Sequence, residues 1–230
     1  MQSGARMERG IVSDGFRVLP GVFPAAEMDR LAERLSQSAV PRTRAGIRHL
    51  LADEAVESLA NDSRLVDLAR HLLGPQAFPF HATLFDKSSS ANWLVTWHQD
   101  TALPLRERRD AQGWGPWSVK RSVTYAHAPA SALDQVLAIR VHLDESDNNN
   151  GPLRVLPCTH LLGVLTDDEI HQLSLDVQPI ECGCEVGGVV MMRPLTVHAS
   201  SKVTSDRRRR VLQIEYAAQR LFDQLELAVA

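Results

Sequence analysis

Cysteine is scarce in this sequence, and long apolar runs are missing. The three cysteines, in a chain of 230 residues, are an odd number, which argues against a complete disulfide framework. Cys182 and Cys184 form one close pair without the second pair that a structural zinc site requires, so reduced thiols near strand ends are the favoured interpretation. No apolar stretch approaches the length of a membrane span, and the N-terminus lacks the apolar core of a signal peptide. The sequence therefore predicts a cytoplasmic protein without membrane contact.

An excess of one charge is also missing. The 25 basic and 28 acidic residues give a formal net charge of −3, which is not the balance of a typical nucleic-acid-binding protein. The densest basic run, Arg207 to Arg210, follows Asp206, and three of its four arginines are interpreted as solvated residues of a turn before a strand. We expect no nucleic-acid partner.

The length fits one domain, residues 1–230. The predicted secondary structure changes from helices to strands along it. Apolar residues at helical spacing predict helices at 25–38 and 62–73, within a helical part at about 20–75. From about 76 to 220, strand-like segments divided by turn residues predict a mostly β sandwich or barrel. The candidate strands are 78–87, 93–98, 136–143, 153–156, 177–182, 189–193 and 211–217.

One segment, at about 101–135, has little sustained periodicity. A loop of that length is usually functional or disordered, and its aromatic residues Trp114, Trp117 and Tyr125 argue against disorder. We therefore interpret this segment as a lid or substrate-contacting insert.

A candidate metal site follows from the spacing of His98 and Asp100. Two residues apart on a strand, these side chains point to the same face. With one distant histidine, His198, they would complete the two-histidine, one-carboxylate triad that suits iron(II) and leaves coordination positions open. His142-Leu143-Asp144 offers a rival pair at the end of another strand. The position of His98 before the long insert favours the first pair, and Arg209, in the next strand after His198, could bind a carboxylate bidentately beside the metal.

The sequence resembles the phytanoyl-CoA dioxygenase family of iron(II)- and 2-oxoglutarate-dependent oxygenases. The resemblance covers most of the chain and rests on the order of six segments. They are Phe85-Asp86-Lys87, Trp97-His98-Gln99-Asp100, Leu143-Asp144, Asn150-Gly151-Pro152-Leu153, Leu156-Pro157-Cys158-Thr159-His160, and the block from His198 through Arg209.

This resemblance implies a double-stranded β-helix, or jelly-roll barrel, with flanking helices. It also implies iron(II) held by His98, Asp100 and His198, with O2 as oxidant and 2-oxoglutarate as co-substrate. Arg209 would pair with the far carboxylate of 2-oxoglutarate, and Ser200 would be its hydroxyl partner. The implied reaction is hydroxylation of a small molecule with release of succinate and CO2. Because Asp100 is present, halogenation is disfavoured.

Several residues depart from the family pattern or suggest a substrate. Cys158 and Val203 depart at turns, whereas Arg140 and His142 depart on a strand whose alternation places both on one face with Asp144. Arg140 is either an anchor for an anionic group or half of an internal salt bridge to Asp144 or Glu145. With Lys87, His142 and Trp117, Arg140 suggests a polar or anionic substrate.

Two other functions remain open from the residues alone. One is a non-catalytic barrel that binds a metal or ligand, and the intact triad argues against it. The other is a cupin-type dioxygenase that does not use 2-oxoglutarate, for which Arg209 would have no assigned role.

Overall fold

Two antiparallel sheets of unequal size contribute the residues around the candidate site. They are seen in a computed structural model of the protein, which describes residues 10–38, 40–41, 43, 46–89 and 91–229. The helices are α1 (Ala25–Ser36), α2 (Glu54–Ala60), α3 (Ser63–Leu73), α4 (Ala130–Leu133) and α5 (Asp167–Asp176), with 3-10 turns at Leu50–Ala52 and Thr159–Leu162. The strands are β1 (Phe16–Leu19), β2 (Gly46–Arg48), β3 (Phe78–Lys87), β4 (Val95–His98), β5 (Ala102–Leu105), β6 (Trp117–Lys120), β7 (Val123–His127), β8 (Val136–His142), β9 (Leu153–Val155), β10 (Ile180–Cys182), β11 (Val189–Met192), β12 (His198–Ser200), β13 (Arg209–Ala217), β14 (Leu221–Phe222) and β15 (Leu225–Glu226).

The larger sheet has the strand order β1-β11-β8-β13-β3-β2, and the smaller has the order β10-β9-β12-β4. The prediction of a mostly β fold with flanking helices is confirmed, and both predicted helices form with small differences at their ends. Helix α3 begins after Asp62, whose carboxylate accepts a hydrogen bond from the backbone of Arg64, as an N-cap does. It ends at Gly74, where φ is +97°.

The helices cover one face of the larger sheet and leave the other face for polar side chains. Apolar residues of α1 and α3 pack in one buried cluster with alternate residues of β8, among them Ile139 and Val141. Because successive side chains of a strand point to opposite faces, Arg140 and His142 are directed away from the helices. This alternation places polar residues of a buried strand on the inner face of the sheet.

The insert at 101–135 is not irregular, and that part of the prediction is wrong. It forms a three-stranded sheet in the order β5-β7-β6, followed by α4. Leu103, Leu105 and Trp114 pack in a buried cluster with Phe222 and Leu225 of the C-terminal hairpin β14-β15. The strands are short, and their apolar partners lie about a hundred residues further along the chain, so local periodicity could not reveal them.

Helix α5 was not predicted, although the sequence carries a signal for it. Thr166 and Glu169 form a capping box, in which each side chain bonds the backbone of the other, and this pattern marks a helix start. Because α5 extends to Asp176, the strand predicted at 177–182 begins only at Ile180. Within the described residues, no helix has the length and apolarity needed to cross a membrane.

Candidate metal and co-substrate site

The three predicted metal ligands come together between β4 and β12. His98 is the last residue of β4, and His198, the first residue of β12, is its direct partner in the antiparallel ladder. Asp100 follows two residues later, with its oxygens 3.6 Å from Nε2 of His98 and 3.6 Å from Nε2 of His198. One ligand atom from each residue lies within 4.8 Å of the others.

Backbone contacts orient each of these side chains. Nδ1 of His98 lies 2.8 Å from the carbonyl oxygen of Thr96, and Nδ1 of His198 lies 2.9 Å from that of Thr196. A carbonyl only accepts, so each Nδ1 carries the proton and each Nε2 keeps a free lone pair. The backbone amide of Asp100 donates to the carbonyl oxygen of Pro194 at 3.0 Å. Both imidazoles are therefore in the tautomer that can bind a metal through Nε2.

Gln99 explains how the segment between the ligands is fixed. Its amide nitrogen donates to the carbonyl oxygens of Leu195 at 2.7 Å and Gly163 at 2.9 Å, and its oxygen accepts from the amide of Leu165. The side chain thus ties the His98–Asp100 segment to the loop that leads into β12.

The electrostatics of the site favour the protonation states that a metal requires at Asp100 and His198. Burial would raise the pKa of Asp100, but His198, His98 and Arg140 outweigh burial and hold its pKa below the ordinary value. Burial lowers the pKa of His198 to about 4. Burial also disfavours charge on His98, but Asp100 more than offsets it, and the pKa of His98 is raised. Near neutral pH the site therefore offers a carboxylate and a neutral His198, as metal binding demands.

The rival pair does not form a comparable site. Asp144 is engaged by Arg210, whose Nε and Nη2 lie 2.8 Å and 2.7 Å from its two oxygens. His142 is buried, and neither ring nitrogen has a hydrogen-bond partner among the described residues. Burial, Arg140 and Arg209 lower the pKa of His142 to about 3, so this ring is neutral. Across the described residues, His98, Asp100 and His198 are the single cluster with metal-ligand geometry.

A cationic group of residues lies at the other end of the same cavity. Arg209 is 2% exposed, and its Nη2 donates to Oγ of Ser200 at 3.3 Å. Lys87, its partner in the β13–β3 ladder, donates to the same Oγ at 2.8 Å. Nε and Nη1 of Arg209 are buried without an acceptor in the described part of the chain. An unsatisfied buried guanidinium is costly, and a ligand carboxylate would supply the missing acceptors.

The neighbouring arginines are paired with carboxylates outside the cavity, Arg208 and Arg210 by strand alternation and Arg207 because it lies before β13. Arg208 pairs with Asp86 at 2.6 and 2.7 Å, Arg210 pairs with Asp144, and Nη2 of Arg207 lies 2.6 Å from Asp147. Arg209 is therefore the member of the run that points into the cavity.

Arg140 also reaches this cavity, between the cationic end and the triad. Its Nη1 donates to Oε1 of Gln213, its direct ladder partner on β13, and its guanidinium carbon lies 5.1 Å from the ring centroid of Phe85. The predicted alternative of a salt bridge to Asp144 or Glu145 is wrong, because Arg210 and Arg207 hold those carboxylates.

The cavity is small, with a volume of about 60 Å³. His142 and Trp117 are not among its lining residues; Trp117 lies in the insert, 5.6 Å from the guanidinium carbon of Arg108. Trp93 and Gln213 were not predicted. Gln213 shares the strand face of Arg209, so period-2 alternation could have identified it. The residues that line the cavity are Phe85, Lys87, Trp93, Val95, His98, Asp100, Arg140, Leu153, His198, Ala199, Ser200, Arg209 and Gln213.

Comparison with known proteins places these features in a family context. The model of the family Phytanoyl-CoA dioxygenase (PhyH) matches residues 11–211. A protein of Stutzerimonas stutzeri named "Probable alpha-ketoglutarate-dependent hypophosphite dioxygenase" is 29% identical over 184 residues, which are 74% of this chain and 55% of that protein. The L-proline trans-4-hydroxylase of Streptomyces griseoviridis is 25% identical over 190 residues, covering 71% of this chain and 63% of that protein. The chain thus spans less than two thirds of each of these two relatives.

The fold has counterparts among solved structures. The crystal structure of EctD from S. alaskensis with bound Fe matches with a TM-score of 0.71 at 20% identity, over 98% of this chain and 86% of that one. This likeness confirms the expected jelly-roll architecture.

Proposed function

The chain belongs to the phytanoyl-CoA dioxygenase family, and from this membership we propose that it is an iron(II)- and 2-oxoglutarate-dependent dioxygenase. The proposed reaction hydroxylates a small molecule that carries an anionic group. O2, 2-oxoglutarate and the substrate would give hydroxylated substrate, succinate and CO2. One oxygen atom enters the substrate and the other enters succinate.

The observation that carries this proposal is the pairing of two incomplete sites in one cavity. His98, Asp100 and His198 present two imidazole lone pairs and a carboxylate with no competing thiolate, which is the donor set of non-haem iron(II). At the other end, Arg209 presents two buried N–H-bearing atoms without acceptors. A dicarboxylate that reaches from the metal to Arg209 would satisfy both.

Each residue then has a definite task. His98, Asp100 and His198 would hold iron(II), while Arg209 and Ser200 would bind the far carboxylate of 2-oxoglutarate. Lys87 shares Ser200 with Arg209 and would add positive charge at the same end. When bound, iron and 2-oxoglutarate supply the activation of oxygen, and the protein orients the reactants and excludes water.

The charge of the cavity supports an anionic substrate. Burial and the guanidinium groups of Arg209 and Arg140 lower the pKa of Lys87 to about 7. Burial and Arg140 likewise lower the pKa of Arg209 to about 9. Two guanidinium cations and a partly protonated Lys87 therefore lie close together. The far carboxylate of 2-oxoglutarate would pair with the group around Arg209. Arg140, nearer the triad, would hold an anionic group of the substrate. The names of the two relatives, a hypophosphite dioxygenase and a proline hydroxylase, agree with a small charged substrate.

In this proposal the barrel, the flanking helices and the insert act as one oxygenase domain. Lys87 and Arg140 are the residues that support binding of anionic ligands. His142 and Trp117 lie outside the cavity lining and take no part in it.

Succinate formation tests the proposal. The protein should convert 2-oxoglutarate to succinate only when iron(II) and oxygen are both present, and an anion from a metabolite panel should accelerate turnover. A non-catalytic barrel would form no succinate with any compound, and a dioxygenase that does not use 2-oxoglutarate would consume oxygen without forming succinate.

A further inference from the structure

A series of buried hydrogen bonds leads from Arg140 towards the insert. Arg140 donates to Oε1 of Gln213, and Nε2 of Gln213 donates to Oε1 of Glu215 at 2.9 Å. The other carboxylate oxygen of Glu215 lies 3.1 Å from Nδ1 of His81, and Nε2 of His81 lies 3.3 Å from the hydroxyl of Tyr125. Gln213, His81 and Tyr125 are each at most 6% exposed. We call these five residues the Arg140 relay.

One arrangement of protons satisfies every contact in the relay. A carboxylate only accepts, so Nδ1 of His81 donates to Glu215. When His81 is neutral, its Nε2 then accepts from the hydroxyl of Tyr125. The Tyr125 oxygen in turn accepts from Nε2 of His49, which lies 2.8 Å away. No donor faces another donor, so the relay is a fully satisfied network, and such networks are rigid.

The relay fixes the direction in which Arg140 points. Glu215 accepts from the amide nitrogen of Gln213, so the Gln213 side chain cannot turn over without losing that bond. Its oxygen is therefore held toward Arg140. Together with the ring of Phe85, this acceptor holds the guanidinium beside the cavity rather than letting it take another rotamer.

The relay also crosses from one part of the fold to another. Arg140 lies on β8, Gln213 and Glu215 on β13, and His81 on β3, all in the larger sheet. Tyr125 lies on β7, in the three-stranded sheet of the insert. The hydrogen bond from Tyr125 to His81 thus joins the insert to side chains that lead to the metal cavity.

We propose that Gln213, Glu215 and His81 are positioning residues for Arg140, and that Tyr125 makes the position of Arg140 depend on the docking of the insert. The role of this positioning in substrate binding rests on the proposed function, in which Arg140 holds the anionic group of the substrate. By reciprocity of coupled equilibria, an anion on Arg140 would stabilise the docked insert, and a docked insert would favour anion binding.

A double-mutant cycle read by hydrogen exchange tests the coupling. Tyr125→Phe removes the hydroxyl that joins the insert to His81, and Arg140→Met removes the guanidinium at the far end of the relay. Tyr125→Phe should speed exchange of the β5 and β7 amides about fivefold, the effect of one net hydrogen bond. Arg140→Met should speed exchange of the same amides although it lies outside the insert. The double variant should exchange no more than twofold faster than Tyr125→Phe, because the relay is already broken.

The other tyrosine of the chain provides a matched control. Tyr216→Phe also removes one buried hydroxyl, which donates to the carbonyl oxygen of Ala60 at 2.7 Å on the helix-covered face. It should leave exchange of the insert unchanged. The proposal would be overturned if Arg140→Met left the exchange rates of the insert unchanged. It would also be overturned if the rate increases caused by Tyr125→Phe and Arg140→Met multiplied in the double variant. Calorimetric titration with 2-oxoglutarate separates the coupling from the proposed function. If the iron-loaded wild type does not bind 2-oxoglutarate, the proposed function is contradicted. The coupling between Tyr125 and Arg140 is decided by the exchange data alone.

Discussion

At the scale of single residues, strand alternation gives adjacent arginines different chemistry. Arg208 and Arg210 point outward and pair with Asp86 and Asp144. Arg209, between them, points into the cavity with two nitrogen atoms that have no acceptor in the described part of the chain. The residue type alone therefore does not identify the co-substrate ligand; its place on the strand does.

Replacing Arg209 should separate co-substrate binding from metal binding. Arg209→Ala leaves a ligand carboxylate without its bidentate partner in a buried site, at a cost of roughly 2 to 5 kcal/mol. The dissociation constant for 2-oxoglutarate, measured by calorimetry, should rise by about 30-fold or more, while iron binding stays near normal. Arg209→Lys should recover part of the loss, because a point charge cannot reproduce the fork.

Arg208→Ala is the matched control for this experiment. It removes the same side chain one position away and should leave the 2-oxoglutarate constant unchanged. A selective loss in Arg208→Ala instead would mean that the register assigned to β13 is wrong. Normal affinity in Arg209→Ala would remove the co-substrate assignment.

His142 should make stability depend on pH in a defined direction. Its pKa is lowered to about 3 in the fold, against about 6.5 when unfolded. Between these values the unfolded chain binds a proton that the folded chain does not. The free energy of unfolding therefore has its full value above pH 6.5 as far as His142 is concerned. Below pH 6.5 the His142 contribution falls by about 1.4 kcal/mol per pH unit. Urea unfolding between pH 6.5 and 4.5 should show a steeper loss in the wild type than in His142→Gln. If the two proteins lose stability in parallel, the pKa of His142 is not lowered in the fold.

At the scale of elements, the sequence predicted long, regular structure better than short or distant pairing. Strand β3 spans the predicted residues 78–87 because its alternation is sustained. The His98–Asp100 pair was readable because its geometry is local. The opposition of His98 and His198, by contrast, depends on a ladder between residues a hundred positions apart. The link from Arg140 to Gln213 likewise depends on the β8–β13 register. Of the two alternatives that the sequence left open for Arg140, the internal salt bridge is the one that the structure contradicts.

Solvent exposure differs between parts of the insert. Strand β5 is mostly buried and packs on the C-terminal hairpin, whereas the β6–β7 turn exposes Val119, Lys120 and Arg121. We propose that this turn is the mobile lid. Limited trypsin digestion should cut at Lys120 or Arg121, and iron(II), 2-oxoglutarate and a turnover-stimulating anion together should slow that cut.

The exposed loop at Arg106 to Arg109 provides an internal control for this digestion. Cleavage there should not change with ligands, because this loop lies outside the β6–β7 turn. Equal cleavage at Lys120 and Arg121 with and without ligands would contradict a gating role.

At the scale of the whole molecule, the cavity is assembled from two sheets with different contributions. The larger sheet supplies the cations Lys87, Arg140 and Arg209, and the smaller sheet carries His98 and His198. The metal ligands come together only when β4 pairs with β12. A metal bound there should therefore stabilise the folded protein. At 100 times its dissociation constant, iron(II) should raise the free energy of unfolding by about 2.7 kcal/mol.

Anaerobic equilibrium dialysis with iron(II) tests the central claim most directly. The wild type and His142→Ala should each bind one iron(II) per chain, because His142 is not a ligand. His98→Ala and His198→Ala should lose stoichiometric binding while circular dichroism shows that they stay folded. Full iron binding by His198→Ala, or its loss in a folded His142→Ala protein, would contradict the assignment of the metal site.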